Sequence, residues 1–117
     1  PPPSSGPACA DASAYYASAL SLPFAALRSA LHDLIADHTV VSYDGAWEAL
    51  KAIDEDPADA SRVRLVYSNF THAKADQGLS TGWNREHSWP RSFGIGDNGP
   101  DYSDLHALFP ADANVNS

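Results

Sequence analysis

Apolar positions recur with a helical period in the first half of the chain and lose it after Pro57. A first helical pattern runs from Ala12 to Leu20. Ser21 can cap a second helix, with Pro23 in its first turn, where a missing N–H costs nothing. Phe24, Leu27, Leu31, Leu34 and Ile35 then fall on one face of that helix. Ser42 offers a further cap, and Tyr43, Trp47, Leu50 and Ile53 make another stripe that Asp54-Glu55-Asp56-Pro57 ends. Both stripes read as core. Beyond Pro57, Val63 to Tyr67 is short and rich in β-branched and aromatic residues, which predicts a strand. Ser68 to Gly82 and Gly94 to Ser103 read as loops, while Leu105 to Phe109 is an apolar run of ambiguous type. Residues 1–10, rich in Pro, Ser, Gly and Ala, read as a flexible arm, and residues 11–117 as a single domain. Helices first, then strands and long loops, predict an α+β fold. Long loops in a small domain tend to carry function.

Composition narrows the class. The 117 residues, 44% hydrophobic and 19% charged, suit a compact soluble domain. No run approaches the roughly 18 apolar residues of a membrane span, so no membrane partner is expected. The chain starts Pro1-Pro2-Pro3 with no initiating Met, which reads as a processed or artificial end that would hide any export signal. A lone Cys9 excludes an internal disulfide framework and a multi-Cys zinc site. It is read as an inert thiol, or else as bonded to a partner outside this chain.

Charge is unevenly spread. The total is −8, which argues against retention on nucleic acid by bulk charge. Residues 1–61 hold nine acids and two bases, a net −7, and residues 92–117 hold four Asp and no base, a net −4. Between them, residues 62–91 carry five bases against two acids, a net +3. That basic stretch contains Trp83-Asn84-Arg85-Glu86-His87-Ser88-Trp89-Pro90, the densest segment of the chain. A carboxylate, an imidazole and a guanidinium in successive residues can ligate a hard cation, move a proton and hold a phosphate. The competing reading is a surface strand with an incidental Arg-Glu-His. In a regular strand Glu86 and His87 point to opposite faces, so joint action on one phosphate requires a turn or bulge there, and Pro90 favours an early strand end.

Asn84-Arg85-Glu86-His87 followed by Trp89-Pro90, then Asp104-Leu105-His106, Pro110-Ala111 and Val115-Asn116-Ser117, resembles the endonuclease I family. These are secreted or periplasmic nucleases of the ββα-metal (His-Me finger) class. Tyr43-Asp44-Gly45 with Trp47 is similar to the family's helical segment, so the likeness covers residues 43–117. The resemblance implies N-terminal helices followed by a ββα-metal finger. It implies His87 as general base for the attacking water, and Glu86 and Asn116 as protein ligands of a divalent cation, most often Mg²⁺. One carboxylate and one amide oxygen suit an ion that keeps several waters. Arg85 and Arg91 are candidates for gripping phosphate, Arg85 having a second reading in which it orients a carboxylate. Asp104 and His106 are expected to support the site rather than act in it. The family often has a second His and an Arg where this chain has Ala107 and Phe109, which removes one phosphate contact. It also normally continues past Asn116-Ser117 into the finger's helix. The expectation is that a missing piece, in a longer chain or a second chain, completes the domain.

The implied activity is metal-dependent endonucleolytic hydrolysis of DNA and/or RNA with little sequence preference, reading the backbone rather than base edges. The acidic remainder implies weak, salt-sensitive binding. The rival is a non-catalytic binding or structural domain that keeps the ββα-metal shape. Asp97 to Asp104 lacks the Gly and Glu of an EF-hand and reads as an ordinary loop. Asn69-Phe70-Thr71 fits a glycosylation pattern. His32 and His38 read as solvated, His72 as a loop residue with no partner, and Trp47 as core rather than a stacking platform.

Overall fold

Residues 12–36 and 38–116 are described by a computed structural model; the expected arm, residues 1–10, lies outside them. The chain divides into two units, one ending at Thr39 and one starting at Val40. Among the described residues no helix is long and apolar enough to cross a membrane.

The first unit holds α1 (Ala12–Tyr15) and α2 (Phe24–Ala36). The first helix is shorter than expected. Beyond Tyr15 the amides of Ala17 and Ala19 bond to carbonyls three residues back, at 3.3 and 2.9 Å, as in turns. Ser13, Ser18 and Ser21 are weak helix formers that favour such alternatives. Ser21 is not the cap of α2 either, standing in the left-handed region at φ 73°. The Pro23 carbonyl instead accepts the Leu27 N–H at 2.8 Å and opens the helix. The α2 stripe is not core: none of its residues is buried, and Phe24 is 84% exposed. Among the described residues of that unit, a four-residue helix and one turn offer too little surface to bury a 13-residue face.

The second unit begins with α3 (Gly45–Ile53). Ser42 does close its start: Oγ accepts the Gly45 N–H at 3.0 Å and its carbonyl the Ala46 N–H at 2.9 Å. Ala46 and Leu50 face inward, but Ile53, expected in the stripe, is 62% exposed because the helix stops at Asp54. An antiparallel sheet follows in the order β1 (Glu55–Asp56), β2 (Asp59–Arg64), β3 (Thr71–Ala73). The expected strand Val63–Tyr67 is thus displaced toward the N-terminus. Asp56 and Asp59 carboxylates hold the turn by accepting the Ala58 and Ser61 amides, and so start the ladder early. Leu65 and Val66 then pair irregularly, with the carbonyls of Phe70 and Pro110. The segment expected as one loop, Ser68–Gly82, contains β3 and a 3₁₀ turn at Lys74–Asp76.

A second antiparallel pair, β4 (Trp83–His87) with β5 (Leu108–Asp112), places the key segment. The ambiguous run at Leu105–Phe109 resolves into a turn leading into β5. Helix α3, Val63, Leu65 and this pair share one core around Trp83 and Leu108, with Trp47 edge-on to Trp83. The Trp83 indole N–H finds the Ala73 carbonyl at 3.1 Å, so the largest core side chain leaves no polar atom unpaired. The fold is α+β, as expected.

Candidate active site

Strand β4 alternates cleanly. Trp83, Arg85 and His87 turn toward the aromatic side formed by Tyr43, Trp47 and Tyr102; Asn84 and Glu86 turn toward Asn116 and Tyr67. The ladder with β5 runs without a shift as far as His87↔Leu108. Of the turn or bulge expected there, the ladder shows no bulge; the strand instead ends at His87, three residues before Pro90. Both residues nevertheless line one cleft. A cleft of about 740 Å³ is lined by Arg85, Glu86, His87, Arg91 and Asn116 among others. Asp104 and His106 do not line it: the Asp104 carboxylate accepts the His106 N–H and faces the ring Nδ1, each at 2.9 Å. His106 is almost wholly exposed.

His87 is buried and its ring lies nearly parallel to those of Tyr43 and Tyr102, at 6.0 and 5.3 Å. Its Nε2 is 2.9 Å from the Tyr102 carbonyl. A carbonyl oxygen can only accept, so Nε2 carries a proton and the neutral ring keeps its lone pair on Nδ1. Tyr43 is held above the usual phenol range by burial first, then by its hydrogen bond with Tyr102, against the lowering effect of Arg85.

Arg85 is clamped. Its guanidinium carbon sits 3.4 Å from the Tyr43 ring centre and 4.1 Å from that of Trp47, and it donates to the Tyr43 carbonyl. The exposed Asp44 carboxylate lies 3.9 Å from it. Arg91 is half-exposed, bonded to Asp97 at 2.9 Å and close to the Tyr102 hydroxyl at 3.4 Å.

Glu86 Oε1 accepts the Tyr67 hydroxyl at 2.8 Å, a bond that raises the phenol's pKa ahead of its burial. Asn116 Nδ2 donates to Asn84 Oδ1 at 2.6 Å and to the Arg85 carbonyl at 3.3 Å. Those two acceptors fix the amide flip and leave Oδ1 as its other polar atom. Among the described residues no three His, Cys, Asp or Glu side chains gather as a metal site. A carboxylate and an amide oxygen on one cleft are nonetheless a donor set that fits a hard, water-retaining cation.

Sequence reasoning gave no role at the site to Tyr67, at the end of the expected strand, to Asn84, quoted only within the motif, or to Asp97 and Tyr102, in a segment read as a loop. It also gave His72 no partner, whereas His72 Nε2 lies 3.4 Å from Asp112 and Nδ1 3.8 Å from Asp76. Asp76 is four residues on, but Asp112 lies forty residues away in β5, so no local spacing links it to His72.

The sequence model of the Endonuclease I family matches residues 23–117. An extracellular ribonuclease of Bacillus amyloliquefaciens is 46% identical over 110 residues, covering 92% of this chain and 38% of that protein. An extracellular ribonuclease of Bacillus subtilis (strain 168) is 43% identical over 110 residues, with the same coverage of 92% and 38%. The chain thus spans a little over a third of the length of these curated relatives. No solved structure matches it.

Proposed function

The chain belongs to the endonuclease I family, and from that premise we propose that it carries the catalytic cleft of a metal-dependent endonuclease. The observation that carries the proposal is the convergence of Glu86, His87, Arg91 and Asn116 on one cleft. RNA is the favoured substrate, supported by relatives named as extracellular ribonucleases, and the same names support action outside the cell.

His87 is the general base. With Nε2 committed to the Tyr102 carbonyl, Nδ1 takes a proton from the water that attacks phosphorus. The P–O3′ bond breaks as the new P–O bond forms, the departing oxygen gains a proton from solvent, and the ring returns its proton to water. The rings of Tyr43 and Tyr102 hold the imidazole in place. Glu86 and Asn116 Oδ1 would hold the divalent cation, with Mg²⁺ matched by their oxygen chemistry. Such an ion, when bound, neutralises charge on the phosphate and on the departing oxygen. Arg91 leaves Asp97 to grip a phosphate, and Arg85 adds positive charge to the cleft from its fixed place between two rings. The net −8 keeps binding weak and salt-sensitive.

Replacing His87 by Ala tests this directly. Cleavage of an RNA or supercoiled plasmid should fall roughly 10²–10⁴-fold with substrate binding kept. EDTA should abolish cleavage by the unaltered chain. Unchanged cleavage by the variant, with contamination excluded, removes His87 from the reaction. Binding without any chelator-sensitive cleavage would establish the non-catalytic reading.

A further inference from the structure

Immediately after His87 the chain exposes two aromatic rings beside the cleft. Trp89 is 59% exposed and Phe93 70% exposed, and the three residues between them, Pro90, Arg91 and Ser92, all line the cleft. The indole is not free to swing: its N–H donates to the Phe93 carbonyl at 3.1 Å. The two ring centres lie 6.3 Å apart at 61°, so Phe93 forms a side wall to the indole rather than a lid over it. A short 3₁₀ turn, Arg91–Phe93, fixes the pair, the Phe93 N–H bonding to the Pro90 carbonyl at 2.9 Å.

The other tryptophans are placed differently. Trp83 is fully buried, and Trp47 is packed against it with Arg85 on its face. Trp89 is thus the one indole with an open face, held rigid, two residues from the proposed base. The Cα atoms of His87 and Trp89 are thus at most ~7 Å apart, so a base stacked on the indole belongs to the strand near the phosphate being cut. Arg91, between the two in sequence and lining the cleft, supplies a cation for that phosphate.

Resting on the nuclease reading, we propose that Trp89 and Phe93 form a stacking subsite for an unpaired base flanking the scissile phosphate, so that the preferred substrate is single-stranded. In a duplex each base face is already covered by its neighbours; an unpaired base offers a free π-face, which any of the four bases can supply. The subsite therefore gives affinity for single strands without sequence preference.

The experiment measures binding of a single-stranded oligodeoxyadenylate 8-mer, and of an abasic 8-mer with the same backbone, to the unaltered chain. EDTA is present so that nothing is cut; the anisotropy of a fluorescein at the 5′ end of each strand reads binding, and tryptophan emission reads contact with the indole. The base-bearing strand should bind roughly 5- to 150-fold more tightly and quench the exposed indole. Trp89→Ala should erase that difference while keeping affinity for the abasic strand, and Trp89→Phe should restore much of it. Phe93→Ala, which leaves the indole in place, should weaken only the base-bearing strand. Equal binding of the two strands by the unaltered chain, or no binding of either, overturns the subsite whether or not the variants fold. Cleavage without base preference sinks the subsite alone; base preference without cleavage sinks the nuclease reading and leaves the subsite.

Discussion

Replacing Arg85 by Lys sets the phosphate-gripping role expected from the sequence against the aromatic clamp found in the structure. Lysine keeps the charge, so a residue needed mainly for phosphate attraction should survive the change with modest loss. The structure points elsewhere. The Arg85 guanidinium lies 3.4 Å from one ring centre and 4.1 Å from another, and its side chain is only 12% exposed. A compact ammonium on a flexible stem cannot stack on two faces at once. Part-buried cation–π contacts contribute about 1–2 kcal/mol each, and lysine recovers part of the bond to the Tyr43 carbonyl, so about 2–3 kcal/mol should be lost. For a unit of this size that corresponds to a melting temperature roughly 10–20 °C lower. Tyr43 also packs on His87, so kcat should fall with stability while KM changes little. Thermal unfolding followed by circular dichroism, beside steady-state cleavage, reads both. A variant with the original melting temperature and a several-fold higher KM would refute the clamp and return Arg85 to phosphate binding.

Glu86→Ala should shift the Mg²⁺ dependence of cleavage to higher concentration, with the rate partly rescued by excess ion; a flat response at every concentration argues against a ligand role. Asp97→Asn should free Arg91 from its exposed partner and lower KM by about two- to fivefold at low salt, an effect that added salt erases. A KM that stays put would show that Arg91 does not reach substrate. Asp112 has its carboxyl held below the usual range by the Asn114 backbone N–H first, then by the Asn114 side chain, with His72 adding less. A depressed folded pKa gives stability that is present above the unfolded value of about 3.9 and is lost as pH falls through the folded value. Unaltered protein should therefore out-melt Asp112→Asn at pH 6, and the gap should close in acid below pH 4; a gap independent of pH would contradict this.

The helical half of the second unit was open to reading in advance. Ser42, Tyr43, Trp47 and Leu50 follow from cap chemistry and period because they depend on residues three and four apart. The α2 stripe was equally regular and yet stays unburied, since period reports an apolar face and not whether anything covers it. Strand limits were less legible: β2 begins at Asp59, among polar residues, because turn carboxylates rather than β-branched side chains start its ladder.

What sequence by itself determined here is the identity and order of the reactive groups: an Arg-Glu-His triplet ahead of a late Asn, in a locally basic stretch of an acidic chain. Those are covalent facts, set by neighbours along the backbone. Pro90 already favours an early end of strand β4, but tertiary structure alone decided that the adjacent Glu86 and His87 line one cleft. It also tied the imidazole Nε2 to a carbonyl fifteen residues on and fixed the Asn116 amide by an Asn thirty-two residues back. Such contacts join distant parts of the chain through strand register and loop closure, and no local period encodes the distance between them.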